Sequence, residues 1–325
     1  MNNSSFFDIT SDSDFERRAM QTFYHQYEHN NVYQTFCNYL KKTPDQVKSV
    51  EDIPFLPIQF FKTHQVITGT NPVSKIFTSS GTTGSVNSKH YVTDLAIYEN
   101  SYRKAFQHFY GPIEDYVILA LLPSYMERKG SSLIYMVADL IDRSNKPESG
   151  FYLNDLEKLT NQLRKLEASG KKTLLIGVTF ALLELAEKHP QQLKNTLIME
   201  TGGMKGRRRE MIREEVHSIL RNSFHLSEIH SEYGMTELLS QAYSSGGGIF
   251  HCPPWMRITT RDPEDALSKQ PSGKTGGINI IDLANVNSCS FIATQDLGKQ
   301  YSDGSVEILG RFDHSDIRGC NLMAL

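Results

Sequence analysis

The chain has 325 residues, of which 39% are hydrophobic and 22% charged, and this length is typical of one large domain or two moderate ones. Its 34 basic and 37 acidic residues give a formal net charge of −3. Because binding to a nucleic-acid backbone depends on an excess of positive charge, this balance argues against nucleic acid as a partner.

The sequence shows no pattern typical of a membrane span, an export signal, a disulfide framework or a zinc ribbon. No apolar run approaches the roughly 18 residues of a membrane-spanning helix, and the N-terminal residues MNNSSFFDITSDSDFERR lack the layout of a signal peptide. The sequence therefore predicts a cytoplasmic protein without a membrane span. The four cysteines show no C-x-x-C spacing, so neither a disulfide framework nor a zinc ribbon is indicated.

The first forty residues are predicted to be helical. In FERRAMQTFYHQYEHN and NVYQTFCNYLKK the apolar and aromatic residues recur at intervals of three and four, which is the period of an amphipathic helix. The next segment contains Pro54 and Pro57 among aromatic residues and cannot continue a helix. We expect it to run extended along the body of the protein.

From Lys75 onward, short β-rich runs alternate with helical ones. The predicted strands are KIFT, HYV, YVILALLP, KTLLIGV, NTLIMETGG and SEIHSEYG, and segments of helix length separate most of them. Asp94 is the expected N-cap of the helix that follows HYV. Apolar strands joined by helices predict an α/β fold with a largely parallel sheet covered on both faces.

After Ser244 the pattern changes to strand-length pieces separated by turns, namely MRITTRDP, GGINIIDL, CSFIATQDLG and SVEILGR. We expect a smaller, β-rich subdomain there. The predicted organisation is an α/β core with N-terminal helices over residues 1–245, followed by a β-rich subdomain and C-terminal tail over residues 246–325.

Residues 77–84, FTSSGTTG, form a glycine loop after an apolar strand end. Small residues let backbone N–H groups approach an anion, and hydroxyl groups add donors, so such a loop can hold phosphate oxygens. It lacks the G-K-[ST] ending of a Walker A motif. Taken alone, it fits an ordinary Ser/Thr/Gly turn as well as a phosphate site.

Three further motifs follow in order. In SEYGMTE at 231–237, a strand runs into a Tyr-Gly turn that presents an aromatic face, the hydroxyl of Thr236 and the carboxylate of Glu237, which suits Mg²⁺. TQDLG at 294–298 places Asp296 where a carboxylate can bind two ribose hydroxyls. The last motif is GRFDHSDIRG at 310–319. Each motif alone could be a turn with incidental polarity.

Together and in this order, the four motifs resemble the adenylate-forming superfamily of acyl-CoA synthetases, peptide-synthetase adenylation domains and luciferases. The strings SEYGMTELLSQAY, FHCPPWMRITTRDP and GRFDHSDIRGC are similar to the acyl-protein synthetases of the bacterial luminescence fatty-acid reductase system, the LuxE-like branch. The resemblance begins near Pro54 and is loose over the N-terminal helices. It implies the layered sheets and helices of the superfamily's N-terminal domain, with ATP and Mg²⁺ as cofactors.

The resemblance also implies a role for each matching residue. The glycine loop would wrap the triphosphate, ETGG at 200–203 and the backbone of 232–234 would hold adenine, and Asp296 would bind ribose beside Arg311. Glu237 would act as the catalytic and metal-binding carboxylate, next to Thr236 at the phosphates. The implied nucleotide-binding residues are Thr78, Ser79, Ser80, Gly81, Thr82, Thr83, Gly84, Gly202, Gly203, Glu232, Tyr233, Gly234, Met235, Thr236, Asp296 and Arg311.

The sequence departs from the superfamily after the GR-x-D hinge, where relatives continue for about a hundred residues, the size of a small mobile domain. Only 15 residues follow Gly310, so we expect this lid to be missing. The lid lysine that stabilises charge on the α-phosphate would be missing with it. Lys89, Lys205 and Arg311 are the candidates for a replacement cation.

The thiol that accepts the acyl group is expected on the chain itself. A lid normally completes the tunnel for coenzyme A, so its absence disfavours a coenzyme A ligase. The LuxE-like branch implies instead a cysteine near the C-terminus, and Cys320 matches by position. Arg318, two residues away, would favour the thiolate. The alternative is that Cys320 is a small apolar residue in a terminal turn.

Several residues have both a functional and a structural interpretation. His230 could be a catalytic stabiliser of the acyl carbonyl, although a satisfied core histidine is the commoner case. His251, Cys252 and Cys289 could suggest a metal site, but their spacing fits no zinc pattern and packing is favoured. The segment FLPIQFFKTH could wall an acyl pocket, but core is favoured.

The leading hypothesis is an ATP-dependent ligase that activates a carboxylic acid of the fatty-acid class as acyl-AMP and transfers the acyl group to a cysteine thiol of the protein. One alternative is an acyl-CoA or carrier-protein ligase that uses an external thiol. The other is a catalytically silent nucleotide-binding subunit. The expected partners are the acid substrate and a reductase, an acyltransferase or a carrier protein.

Overall fold

The computed structural model describes residues 5–79, 86–123, 130–153, 155–202 and 211–311. The α-helices in this part of the chain are α1 Asp12–His29, α2 Asn31–Tyr39, α3 Phe60–Thr63, α4 Leu95–Tyr110, α5 Ser132–Ser144, α6 Leu156–Ala168, α7 Thr179–Lys188 and α8 Arg213–Phe224. The strands are β1 Leu56–Pro57, β2 Lys75–Thr78, β3 Lys89–Val92, β4 Val117–Leu121, β5 Gly150–Phe151, β6 Thr173–Gly177, β7 Thr196–Glu200, β8 His230–Tyr233, β9 Ala242–Ser244, β10 Ile249–Phe250, β11 Met256–Arg261, β12 Thr275–Asp282, β13 Phe291–Gln300 and β14 Val306–Arg311.

One six-stranded sheet carries the α/β part of the protein. Its strand order is β5-β4-β6-β7-β8-β9, in which β9 alone runs antiparallel to its neighbour. Every residue of β4 and β6 is buried, which requires cover on both faces of the sheet. The predicted α/β class with a largely parallel sheet is confirmed.

A second six-stranded sheet has the order β10-β14-β13-β12-β11, with β1 added beside β13. All pairings along the main path are antiparallel, and its strands β10 to β14 lie in the part of the chain after Ser244, where short strands were expected. β1 pairs with β13 in parallel, placing Leu56 opposite Ile292. The segment around Pro54 and Pro57 therefore gives a two-residue strand and then the single helical turn α3. The division of the chain at residue 245 stays a prediction.

The helices begin where polar side chains cap them. Asp94 accepts a hydrogen bond from the N–H of Ala96 at 3.0 Å, so it caps α4 as predicted. Ser11 and Asn30 cap α1 and α2 in the same manner. In the described ranges, no helix combines the length and the apolar character that crossing a membrane requires.

Buried polar contacts tie the two large sheets together near the carboxyl end of β8. The indole N–H of Trp255 reaches the hydroxyls of Ser101 on α4 and of Ser240 at 3.0 and 3.1 Å. Ser240 follows β8, and Trp255 precedes β11. The segment beyond the carboxyl end of β8 is thereby held against the residue that precedes β11.

Candidate active site

The glycine loop is the connection of a two-stranded hairpin. In this hairpin β2 and β3 pair antiparallel, with Thr78 opposite Lys89. Beyond that pair, the N–H of Ser79 donates to the carbonyl of Ser88 at 3.1 Å, and the N–H of Ser88 donates to Oγ of Ser79 at 2.9 Å. The hairpin therefore closes at these two serines. The predicted phosphate-binding residues Ser80, Gly81, Thr82, Thr83 and Gly84 lie outside the described residues.

The carboxyl end of β7 forms the second part of the site. Glu200, the last residue of β7, is buried and accepts hydrogen bonds from the N–H of Gly202 at 2.8 Å and from the hydroxyl of Thr179. Gly202 has a φ of 74°, a left-handed conformation that favours glycine. The turn after β7 is thus fixed by the carboxylate that ends the strand. Gly203 and Lys205 lie outside the described residues.

The end of β8 lies against β13. The hydroxyl of Tyr233 donates a 2.7 Å hydrogen bond to Oδ2 of Asp296. Arg311 stands opposite Asp296 in the register of β13 and β14, with its Nε 3.7 Å from Oδ1. Burial raises the pKa of the Asp296 carboxyl, whereas the bond from Tyr233 and the charge of Arg311 lower it. Three residues predicted for nucleotide binding are therefore neighbours.

The side chain of Glu232 folds back over Gly234 in the Tyr-Gly turn. A Cβ at Gly234 would lie 2.5 Å from Oε1 of Glu232 and 3.2 Å from Cγ of Gln241. Glu232 is 8% exposed, and burial together with the charge of Glu200 raises its pKa to about 8. This carboxyl is therefore mostly protonated at neutral pH.

Glu237 lies in the turn beyond β8 and is 5% exposed. Burial raises the pKa of its carboxyl, while the side chain of Ser88 and the charges of Arg311 and Lys62 lower it. Because Ser88 pairs with Ser79, the predicted metal carboxylate lies beside the described end of the hairpin. Lys62 on α3 is a nearby cation that the sequence analysis did not consider.

The turn that follows β8 runs through Met235 and Thr236, and the N–H of Leu238 donates to the carbonyl of Met235 at 3.1 Å. Polar side chains from distant parts of the chain hold this turn, and the sequence analysis missed them. They are His90, Asp282 and Asn285. The available signal was a polar residue inside or directly after an apolar strand, in KHYV and in INIIDLAN.

Asp282 anchors the chain just beyond Glu237. Its carboxylate accepts hydrogen bonds from the N–H groups of Leu239 and Ser240 at 2.8 and 3.0 Å and from the hydroxyl of Ser240 at 2.6 Å. Asp282 is fully buried, and burial raises its pKa to about 6 although these bonds lower it. The segment after Glu237 is therefore fixed to the end of β12.

A buried Ser-His-Glu cluster includes Ser231 of β8. Oγ of Ser231 is 3.3 Å from Nε2 of His217, and Oε2 of Glu200 is 4.0 Å from the same nitrogen. In a hydrolytic triad the carboxylate orients the opposite ring nitrogen from the one that takes the serine proton. Since both groups share Nε2 here, the cluster is not arranged as a serine nucleophile and its base.

His230 begins β8, whereas Tyr233 ends it. Three residues at about 3.3 Å each separate the two by about 10 Å. Nδ1 of His230 is 3.4 Å from the hydroxyl of Tyr110, and burial lowers the pKa of the ring. The role of His230 at an acyl carbonyl stays a prediction, as does that of Lys89 at the triphosphate.

The donor set around Glu237 fits a magnesium ion that arrives with a nucleotide. In the part of the chain that the structure describes, no three His, Cys, Asp or Glu side chains are grouped as metal ligands. Mg²⁺ is usually held by one or two carboxylates together with substrate phosphates rather than by an all-protein cage. One carboxylate beside the hairpin that carries the predicted phosphate loop is compatible with that requirement.

Comparison with known proteins gives the family. The sequence matches the model of the family described as acyl-protein synthetase, LuxE, over residues 9–324. The chain belongs to this family. A curated relative, the long-chain-fatty-acid–luciferin-component ligase of Photorhabdus luminescens, is 33% identical over 70 residues, which are 21% of this chain and 60% of the relative.

Solved structures share the fold of this LuxE-family chain. A 2-hydroxyisobutyryl-CoA ligase in complex with 2-HIB-AMP and CoA aligns with a TM-score of 0.67 at 16% identity, over 92% of this chain and 67% of the ligase. ATP-bound MatB from Rhodopseudomonas palustris aligns with a TM-score of 0.56 at 19% identity, over 82% of this chain and 53% of MatB. The chain thus spans about half the length of MatB. At these identities the likeness confirms the adenylate-forming fold.

Proposed function

We propose that this protein activates a carboxylic acid with ATP as an acyl-adenylate and transfers the acyl group to a cysteine thiol of the protein. The observation that carries the proposal is the contact between two motifs far apart in sequence. Ser88 closes the glycine-loop hairpin and lies against Glu237. Tyr233, four residues before Glu237, is hydrogen-bonded to Asp296. Membership in the acyl-protein synthetase family supports the same activity.

We assign each part of ATP to a part of this site. The hairpin loop after Ser79 would hold the phosphates, Asp296 the ribose hydroxyls, and the turn after Glu200 together with Tyr233 the adenine. An oxygen of the acid attacks the α-phosphorus, a P–O bond forms, and the bond to pyrophosphate breaks. Mg²⁺ held through Glu237 would neutralise the charge on the leaving pyrophosphate. The charges of Arg311 and Lys62 would add to that stabilisation.

The second step forms a thioester. A thiolate attacks the carbonyl carbon of acyl-AMP, the C–S bond forms, and AMP leaves with the electrons of the broken C–O bond. Burial raises the pKa of the thiols of Cys37 and Cys252 to about 12 and raises that of Cys289 further, so these thiols are poor nucleophiles. We therefore assign the acceptor role to Cys320, which lies outside the described residues together with Arg318.

We also propose a substrate class and a class of partner. The curated relative is named for a long-chain fatty acid, and we propose an acid of that class here. A thioester on the protein is a reactive intermediate that another enzyme must consume. We propose a reductase, an acyltransferase or a carrier protein as that partner.

The first step is tested by ATP-dependent pyrophosphate release with a panel of carboxylic acids. Glu237→Gln should lower this release at least a hundredfold, because removing an electrostatic group at the reacting centre typically costs that much. Glu214→Gln, at an exposed position on α8, is the matched control and should release pyrophosphate at the wild-type rate. Unchanged release in the Glu237 variant would contradict the mechanism, and ATP binding without release would favour a silent nucleotide-binding subunit.

A further inference from the structure

We propose that His90 is a positioning residue that fixes the Thr236–Glu237 turn to the glycine-loop hairpin, with Asn285 as the second half of the link. This inference rests on the proposed function because it concerns the carboxylate that would hold the metal. It adds two residues that touch neither the nucleotide nor the acid in our account, and it makes the geometry of Glu237 depend on β3.

His90 lies on β3 and is 1% exposed. Its Nδ1 is 2.9 Å from the carbonyl oxygen of Thr236, and its Nε2 is 3.1 Å from Oδ1 of Asn285. Nδ2 of Asn285 in turn donates to the carbonyl of Glu237 at 2.8 Å. One imidazole and one amide therefore engage two consecutive carbonyl oxygens of the turn.

Hydrogen-bond chemistry explains why position 90 carries a polar donor. A buried carbonyl oxygen without a partner is unfavourable, and the turn at Thr236 lies outside any sheet pairing. Burial lowers the pKa of the His90 ring to about 4, so the ring is neutral and carries one N–H. The carbonyl of Thr236 and Oδ1 of Asn285 can both only accept, so the single N–H serves one of them; with the hydrogen on Nδ1, His90 donates to Thr236, and Asn285 holds Glu237 through its own Nδ2.

The imidazole of His90 also packs against an aromatic ring. Phe61 on α3 is 1% exposed and packs edge-on against His90, with 5.7 Å between ring centroids and an interplanar angle of 90°. Such packing restricts the rotation of the imidazole. The neighbouring Lys62 is the residue whose charge reaches Glu237. His90 on β3 therefore contacts both Phe61 of α3 and the Thr236–Glu237 turn.

The arrangement gives Glu237 two anchors, one on each side. Asp282 holds Leu239 and Ser240 beyond it, and the His90–Asn285 pair holds its own carbonyl and that of Thr236. Losing the pair leaves the downstream anchor intact but frees the carbonyls at Thr236 and Glu237. Groups that orient a metal ligand typically change metal affinity by 10- to 100-fold when they are removed.

Direct metal binding tests the inference without relying on turnover. Mn²⁺ affinity is measured by electron paramagnetic resonance with α,β-methylene-ATP present, and AMP affinity is measured without metal. We expect His90→Leu to weaken Mn²⁺ binding at least tenfold and to leave AMP affinity within about twofold. His90→Gln, which keeps an N–H donor, should recover most of the loss. Wild-type Mn²⁺ affinity in His90→Leu, or an equal loss for Mn²⁺ and AMP, would overturn the inference.

Two further variants separate positioning from general stability. Leu163→Ala opens a cavity in the buried face of α6, and should lower the urea midpoint of unfolding without changing Mn²⁺ affinity. If His90→Leu does not fold, Asn285→Ala makes the same comparison, because it removes the donor to Glu237. If the wild-type protein forms acyl-AMP and His90→Leu binds Mn²⁺ with wild-type affinity, the inference about His90 is wrong and the proposed function stands. Wild-type protein that binds neither probe would sink the proposed function as well.

Discussion

The hydroxyl of Tyr233 donates a 2.7 Å hydrogen bond to Oδ2 of Asp296, and this bond joins the end of the parallel sheet to a strand of the antiparallel sheet. Asp296 is held on its other oxygen by Arg311, whose Nε is 3.7 Å away. The carboxylate proposed for ribose is therefore oriented before any nucleotide arrives. Such preorganisation lowers the cost of ordering the site on binding.

Tyr233→Phe should weaken ATP binding because it removes the donor that orients Asp296. A hydrogen bond to a charged group contributes about 1.5–3 kcal/mol, so we expect the KM for ATP to rise about tenfold or more with a smaller change in kcat. Tyr33→Phe is the matched control. It removes a 2.7 Å hydrogen bond from the hydroxyl of a buried tyrosine to the carbonyl of Pro54, and neither residue is assigned to the nucleotide. Equal KM values for the two variants would contradict the role of Tyr233.

Glu232→Gln should flatten the pH dependence of stability. Burial raises the pKa of Glu232 from 4.5 to about 8 in the folded chain, so the folded state binds this proton more tightly than the unfolded state does. The free energy of unfolding should therefore fall as the pH rises from about 5 to about 8.

The Glu232→Gln variant should exceed the wild type in stability by roughly 2–4 kcal/mol at pH 8, and the difference should shrink toward pH 5. Urea unfolding at each pH measures it. The control Glu214→Gln, on the surface of α8, should follow the wild-type curve. A wild-type curve that rises between pH 5 and pH 8 would contradict the assigned direction.

Arg311 and Lys62 should share the task of stabilising charge near Glu237. Both charges reach that carboxyl, so removing one leaves the other in place. We expect Lys62→Ala or Arg311→Ala alone to slow acyl-AMP formation severalfold and the double variant to slow it more than the product of the two. Lys42→Ala, at a lysine that lies near Asp52, is the control. If the double variant forms acyl-AMP at the wild-type rate, neither Lys62 nor Arg311 stabilises charge in this step.

The elements that local patterns determine were predictable. β4 and β6 read as apolar runs because both of their faces are buried, and Asp94 was recognisable as a cap because it bonds within its own turn. Glu237 and Asp296 were predicted from motifs that keep their residue order. The structure places Glu237 beside Ser88 of the hairpin and Asp296 beside Tyr233, and their roles at a nucleotide stay predictions.

What the sequence analysis missed depends on contacts between distant residues. β1 pairs with β13 although more than two hundred residues separate them. The contacts of His90 with Thr236 and Asn285 span 146 and 195 residues. No local spacing encodes such contacts, since they arise only when segments that are far apart in sequence come together in the folded chain. His90 and Asn285 carry no motif of their own, so the structure was needed to bring them to Glu237.

The most direct test of the account is the intact mass of the protein after incubation with ATP, Mg²⁺ and carboxylic acids of short to long chain length. We predict an added mass equal to one acyl group, released by hydroxylamine, and absent from Cys320→Ser although that variant still releases pyrophosphate. Cys37→Ser, at a buried thiol, should still be acylated. Release of AMP only when coenzyme A or a carrier protein is supplied, with no acylated protein at any stage, would contradict the account and assign the chain to ligases that use an external thiol.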